Sequence, residues 1–153
     1  MELHLTVATI AKNDESRVAR ALRSAQTIAD EIVVVDAESA DRTVEIARTF
    51  TNKVFTRPWP GYGAQKNFAL DQATSTWVLF VDTDEEITPE LAAELRSTLP
   101  RIPETVRVGF VKIVTEFLGR PLTHLWGTNP RLLRRGAAAW QHRAVHEQVT
   151  RPD

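Results

Sequence analysis

Asp82-Thr83-Asp84 stands directly after the apolar run Trp77-Val78-Leu79-Phe80-Val81. Two carboxylates one residue apart can bind a hard divalent cation that keeps several waters and completes its shell with phosphate oxygens. The apolar run, bounded by polar Thr76 and Asp82, reads as a strand buried on both faces, as inside a parallel sheet. Ligands gather at the carboxyl ends of such strands. Alone, Asp-x-Asp equally describes a solvated acidic turn before a helix. A second apolar strand, residues 32–35, also delivers an acid, Asp36, at its carboxyl end, and this favours a binding edge.

Neighbouring residues argue against other uses of the tripeptide. A calcium loop needs Asp-x-Asp-x-Asp-Gly and a glutamate at its twelfth position. Here the corresponding residues are Ile87 and Ala93. A phosphatase with an aspartyl nucleophile carries threonine or valine where this chain has Glu86. Sugar nucleotidyltransferases and dinucleotide-binding dehydrogenases place a glycine-rich phosphate loop after their first strand. Residues 8–16 contain no glycine.

The elements that would position these acids follow from periodicity. Leu3, Leu5 and Val7 alternate with polar residues in a first strand ending near residues 8–11. A helix capped by Asn13 or Asp14 then places Val18, Leu22, Ala25 and Ile28 near one face. Residues 31–36 form the second strand, a polar turn spans 37–42, and Asp41 caps a helix over 43–50. A short strand at 53–56 leads into Arg-Pro-Trp-Pro-Gly-Tyr-Gly, an irregular loop over 57–63, and then a helix over 64–73. After strand 77–81, Thr88-Pro89 starts a helix with Leu91, Leu95 and Leu99 four residues apart. The βαβαβαβα order implies an α/β, doubly wound, mainly parallel sheet. Beyond Pro100 and Pro103, residues 106–115 read as a strand, Gly119, Pro121, Gly127 and Pro130 mark a loop-rich stretch, 131–136 a short strand and turn, and 145–149 a last strand.

Length and composition set the outer bounds. The 153 residues make about one domain, with 42% hydrophobic and 25% charged residues as in ordinary globular chains. With 19 basic and 20 acidic residues there is no global pull toward nucleic acid. The absence of cysteine rules out disulfides, thiolate zinc sites and cysteine nucleophiles, and fits a cytoplasmic setting. No apolar run reaches the length of a membrane span, which leaves peripheral attachment open.

Asp36-Ala37-Glu38-Ser39-Ala40-Asp41-Arg42-Thr43 resembles the Asp-x-x-Ser-x-Asp-x-Thr turn of family-2 glycosyltransferases with the GT-A fold. Asp82-Thr83-Asp84-Glu85 is similar to their Asp-x-Asp site, Lys12-Asn13-Asp14-Glu15 to their first turn, and Lys66-Asn67-Phe68-Ala69-Leu70 to the helix before the metal strand. Residues 131–136 and Val145-His146-Glu147 resemble bacterial members that build lipopolysaccharide core or related glycans. The resemblance covers about residues 4–149, and the order and spacing of the motifs carry it. Two departures stand out: Glu38 occupies a place where the family commonly has a small residue, and the Glu-Asp pair near the acceptor is replaced by His146-Glu147.

The resemblance implies an inverting transferase that moves a sugar from a nucleoside-diphosphate sugar to a hydroxyl of a glycan or lipid-linked acceptor, assisted by Mg2+ or Mn2+. Asp84 would ligate the metal, Asp82 would hold a metal-bound water or the ribose, and His146 would add a ligand or orient Glu147. Asp36 would accept from the nucleobase or ribose, within a donor site completed by Ser39, Asp41 and Lys66. Glu147 would be the general base and Arg131 would neutralise diphosphate charge. Trp59, Tyr62 and Trp126 are candidate sugar-stacking rings. A lipid-linked acceptor would place the work at the inner face of a membrane. The chain ends six residues after Glu147, so the expectation is one domain truncated at its carboxyl end. The competing reading is a donor-binding domain without independent catalysis.

Overall fold

The computed structural model describes residues 4–141 and 149–150. Four strands, β1 Leu5–Ala11, β2 Glu31–Asp36, β3 Val54–Thr56 and β4 Trp77–Phe80, pair in parallel. Two more, β5 Val108–Phe117 and β6 Arg120–Arg134, complete a sheet ordered β3-β2-β1-β4-β6-β5, with β6 antiparallel to β4. A separate antiparallel pair joins β7 Ala139–Trp140 to β8 Val149–Thr150.

The burial of β1, β2 and β4, and the continuous apolar runs of β2 and β4, are explained by helices on both faces of the sheet. One face buries Leu5, Val7, Val34 and Leu79 against α1 Val18–Ala25, α2 Thr43–Arg48 and α4 Pro89–Thr98, which contribute Leu22, Ala47 and Leu95. The other buries Ala8, Val33, Val35, Val78 and Phe80 against Ala69, Leu70 and Ala73 at α3 Tyr62–Gln72, with Trp140. The Thr88 side chain accepts from Leu91 N at 3.2 Å, the cap expected from Thr88-Pro89.

Several expectations need correction. Asp14 does not cap α1 with its side chain; instead its carbonyl accepts from Arg17 N and Val18 N at 2.9 Å each, opening a turn ahead of the helix. Helix α3 begins at Tyr62, so the irregular loop ends at Gly61, whose φ of 107° suits glycine. The largest departure lies beyond residue 115. Arg120–Arg134 is one strand rather than a loop-rich stretch, and it pairs along β5 through a two-residue turn at Leu118 and Gly119, with φ of 50° and 74°. Positive φ at both central residues is what a short hairpin turn takes. Pro121 and Pro130 lie at the two register shifts of this hairpin, where a missing backbone N–H is tolerated. Of the expected strand over 145–149, residues 145–148 lie outside the described residues.

Candidate functional site

Side chains converge where β1, β2 and β4 end, and the first two loops there are stitched together. The Lys12 ammonium donates to the carbonyls of Ala37 and Glu38 at 2.5 and 2.6 Å. Asn13 N donates to Ser39 Oγ and Asn13 Oδ1 accepts from Ala40 N, both at 2.8 Å. Asp14 N donates to Thr43 Oγ1 at 2.7 Å, Glu15 N to Asp41 Oδ2 at 3.1 Å, and Arg42 N to Glu15 Oε2 at 2.9 Å. Asn13 and Glu38 take left-handed backbone, φ of 52° and 56°, to allow this ladder. The family's small residue at the Glu38 position now has a physical reason: the turn requires positive φ, which glycine adopts without strain.

Asp36 is fully buried and both its oxygens accept from Ser39, one from the backbone N–H at 2.8 Å and one from the hydroxyl. Asp41 accepts from Thr43 N at 3.0 Å and from the Thr43 hydroxyl, at the start of α2. The carboxylates of Asp36 and Asp41, expected from the resemblance to contact the nucleotide donor, also hold the turn together.

A cavity of about 770 Å³ opens beside this turn, lined by Lys12, Asp14, Arg17, Lys66, Asp82 and Arg131 among others. Four cations against two carboxylates give its wall a positive balance suited to a polyvalent anion. Arg131 enters because of the hairpin irregularity: its neighbours Pro130 and Leu132 pair with Phe110 and Gly109, and Arg131 is the extra residue between them. A bulge of this kind re-aims a side chain. The guanidinium donates to Asp82 Oδ2 at 2.8 Å and to Glu85 Oε1 at 2.6 Å. Glu85 in turn accepts from Asp82 N at 3.0 Å.

Lys66, buried on α3, places its ammonium 3.9 Å from Asp82 Oδ1 and 4.7 Å from the centre of the Trp140 ring. Trp140 is fixed by Asn67, whose amide donates to its carbonyl at 2.9 Å and accepts from its N–H at 2.8 Å. Burial pushes the Asp82 carboxyl up, but the hydrogen bond and charge of Arg131, with Lys66, outweigh it and hold the group below the ordinary range. Glu85 ends above its usual range because burial, with repulsion from Asp82 and Asp84, exceeds the pull of Arg131. Asp82 thus stays ionised as an acceptor for cations.

The cavity gathers Lys66, Asp82 and Arg131 from the sequence-derived set, together with the candidate stacking rings Trp59 and Tyr62, about half exposed and edge-to-face at 4.7 Å. Asp84 is exposed and does not line it, and Ser39 sits in the neighbouring turn. Trp126 stands on the hairpin, away from the cavity. His146 and Glu147 lie outside the described residues. Lys12, Arg17, Asp14, Glu85 and Trp140 were missed as site residues. Arg17 and Asp14 carried a signal in lying just after β1, the same edge as Asp36 and Asp82. Glu85 and Trp140 act through tertiary contacts that local spacing does not announce.

The resident oxygen donors suit a hard cation: Asp82 and Asp84 are carboxylates at a strand end, and Mg2+ needs only one or two such groups beside phosphate and water. Among the described residues no group of three or more His, Asp or Glu side chains forms a ready-made metal cage.

Comparison with known proteins bears on the whole arrangement. The lipopolysaccharide core biosynthesis glycosyltransferase LpsC of Rhizobium meliloti is 30% identical over 156 aligned residues, covering 97% of this chain and 57% of LpsC. An uncharacterized glycosyltransferase of Rickettsia typhi is 50% identical over 86 residues, covering 56% of this chain and 30% of that protein. This chain thus spans from under a third to just over half of these relatives. Among solved structures, S. aureus TarS 1-349 superposes with a TM-score of 0.60 at 23% identity, covering 88% of this chain and 48% of that one. The same protein in complex with UDP-GlcNAc gives 0.54 at 29% identity, covering 63% and 31%. These superpositions agree with the GT-A fold expected from the motifs. The profile described as Glycosyl transferase family 2 matches residues 6–149, nearly the full length, and the chain belongs to that family of glycosyltransferases.

Proposed function

We propose that the cavity binds a nucleoside-diphosphate sugar and that the chain transfers its sugar, with inversion, to a hydroxyl of a glycan or lipid-linked acceptor. The observation that carries this is the set Lys66, Asp82 and Arg131, brought from a helix, a strand end and a strand bulge to one cationic cavity wall. Breaking the bond from anomeric carbon to phosphate leaves a diphosphate whose growing charge needs fixed positive partners. Lys66 and Arg131 supply them. A TarS structure with UDP-GlcNAc supports a uridine nucleotide as the first donor to test, and LpsC supports a glycan of the lipopolysaccharide type as acceptor.

Asp82 and Asp84, with His146, would hold Mg2+ or Mn2+, which when bound supplies further positive charge to the diphosphate. Trp59 and Tyr62 offer aromatic faces at the mouth for a sugar ring. Glu147 takes the proton of the acceptor hydroxyl as the new bond forms, and His146 orients it. The cytoplasmic side of a membrane is the setting for a lipid-linked acceptor. Among the described residues no helix is long and apolar enough to cross a membrane, so attachment there would be peripheral.

The test is a screen of UDP and UDP-sugars for thermal stabilisation with and without Mn2+, joined to measurement of released nucleoside diphosphate. Metal-enhanced stabilisation and metal-dependent release are expected. Failure of every nucleoside diphosphate and its sugars to stabilise the chain would defeat the donor assignment. Full metal-dependent release by Asp84→Ala would remove Asp84 from the metal site.

A further inference from the structure

The β5–β6 hairpin contributes Arg131 to the cavity, but its outer half has no part in the transferase reading. β5 is the last strand of the sheet, so one edge of its backbone has no strand partner among the described residues. The hairpin leaves Phe110, Val114, Phe117, Leu118, Leu125 and Trp126 exposed, with Leu118 87% accessible at the turn. A ten-residue edge strand without proline, rich in valine and aromatic residues, is a template for pairing with another chain. The charged residues of β5 are Lys112 and Glu116, two positions on either side of Val114.

We propose that a second copy of this chain pairs antiparallel along β5, about a two-fold axis at Val114, to form a dimer with one sheet running through both subunits. The charge pattern selects this register. Residues directly opposite in an antiparallel pair lie on the same face and interact. With the axis at Val114, Lys112 faces Glu116 of the partner subunit, and Glu116 faces the partner subunit's Lys112. On the opposite face Val111 then meets the partner's Phe117. Moving the axis one residue, to Ile113 or Thr115, sets both charges against apolar side chains. Moving it two, to Lys112 or Glu116, sets like charges against each other. The surface is therefore self-complementary in the sense that a two-fold interface demands. A lipid surface is a poorer match: insertion would bury Glu116 and leave the open backbone edge unsatisfied in hydrocarbon.

Because the chain contains no cysteine, one substitution reports the register. Val114→Cys is expected to give, under mild oxidation, a disulfide-linked species of twice the 17.2 kDa chain mass, whereas Lys112→Cys alone gives none. Sedimentation equilibrium of the wild-type chain should show a dimer. Lys112→Glu and Glu116→Lys should each weaken it roughly tenfold or more, because each change turns two attractive pairs repulsive. The double exchange should restore it. Far-UV circular dichroism and thermal unfolding check that every variant is folded. A monomeric wild type, no Val114→Cys cross-link, or a double exchange no better than the singles would overturn the proposal. Cosedimentation of a monomeric chain with anionic vesicles would also overturn it and assign the hairpin to a membrane.

Discussion

Protonation of Glu31 should loosen the floor of the cavity, because this side chain anchors the start of β2, the strand whose other end carries Asp36 and the stitched turn. Glu31 accepts from Thr6 Oγ1 at 2.6 Å and from Thr74 N and Oγ1 at 2.8 and 3.0 Å, and pairs with Lys53. Partial burial alone would push the carboxyl up. Lys53, Thr6 and Thr74 together overcome that and bring it from 4.5 down to about 2. That displacement corresponds to a ceiling of roughly 3 kcal/mol of stability. The Lys53 side chain is 38% exposed, so solvent screening reduces the expected contribution to about 1.5–2 kcal/mol. A carboxylate with a depressed folded-state value stabilises above its unfolded value and loses that contribution as pH falls. The window here runs from about 4.5 down to about 2. Glu31→Gln at neutral pH should therefore melt about 5 °C below wild type. Urea denaturation of both proteins between pH 7 and 2.5 tests the linkage, and the gap between them should close with acidification. A gap of constant size across that range, or none at pH 7, would refute the reasoning.

Arg131→Ala should weaken nucleoside-diphosphate binding by roughly tenfold to a hundredfold, the worth of one or two charge-assisted hydrogen bonds, as read by calorimetry. It should also raise the Asp82 carboxyl, because the charge that holds it down is gone, and this is measurable by NMR titration. Glu38→Gly should leave the fold intact and raise unfolding stability by up to about 1 kcal/mol, since the residue sits at φ of 56°. Glu147→Gln should retain donor binding while transfer falls by about a hundredfold or more, and wild-type transfer rates would remove Glu147 as the base.

The parallel half of the fold was legible because β2 and β4 announce themselves as unbroken apolar runs followed by acids. That pattern placed Asp82 at the sheet edge, where the cavity opens. Of the hairpin, the first strand and the end of the second were legible, but the stretch between was not, since its prolines and glycines are breakers in a local reading, and only the register with β5 reveals that Pro121 and Pro130 occupy irregularities that accept them. Asp36 and Asp41 are placed at a sheet edge by the sequence, and only the structure shows that each also accepts within its own turn, from Ser39 and Thr43. Lys66 and Arg131, 65 residues apart in the chain, meet through Asp82 only once the sheet is built.

Arg131 held between Asp82 and Glu85 has a consequence for anion selectivity. An anion that competes for Arg131 Nη2 meets two carboxylates already bonded to that nitrogen. A singly charged ion such as chloride replaces one at best, whereas a diphosphate offers several oxygens in the spacing a planar fork accepts. The internal pairs would thus disfavour a singly charged ion such as chloride relative to a diphosphate.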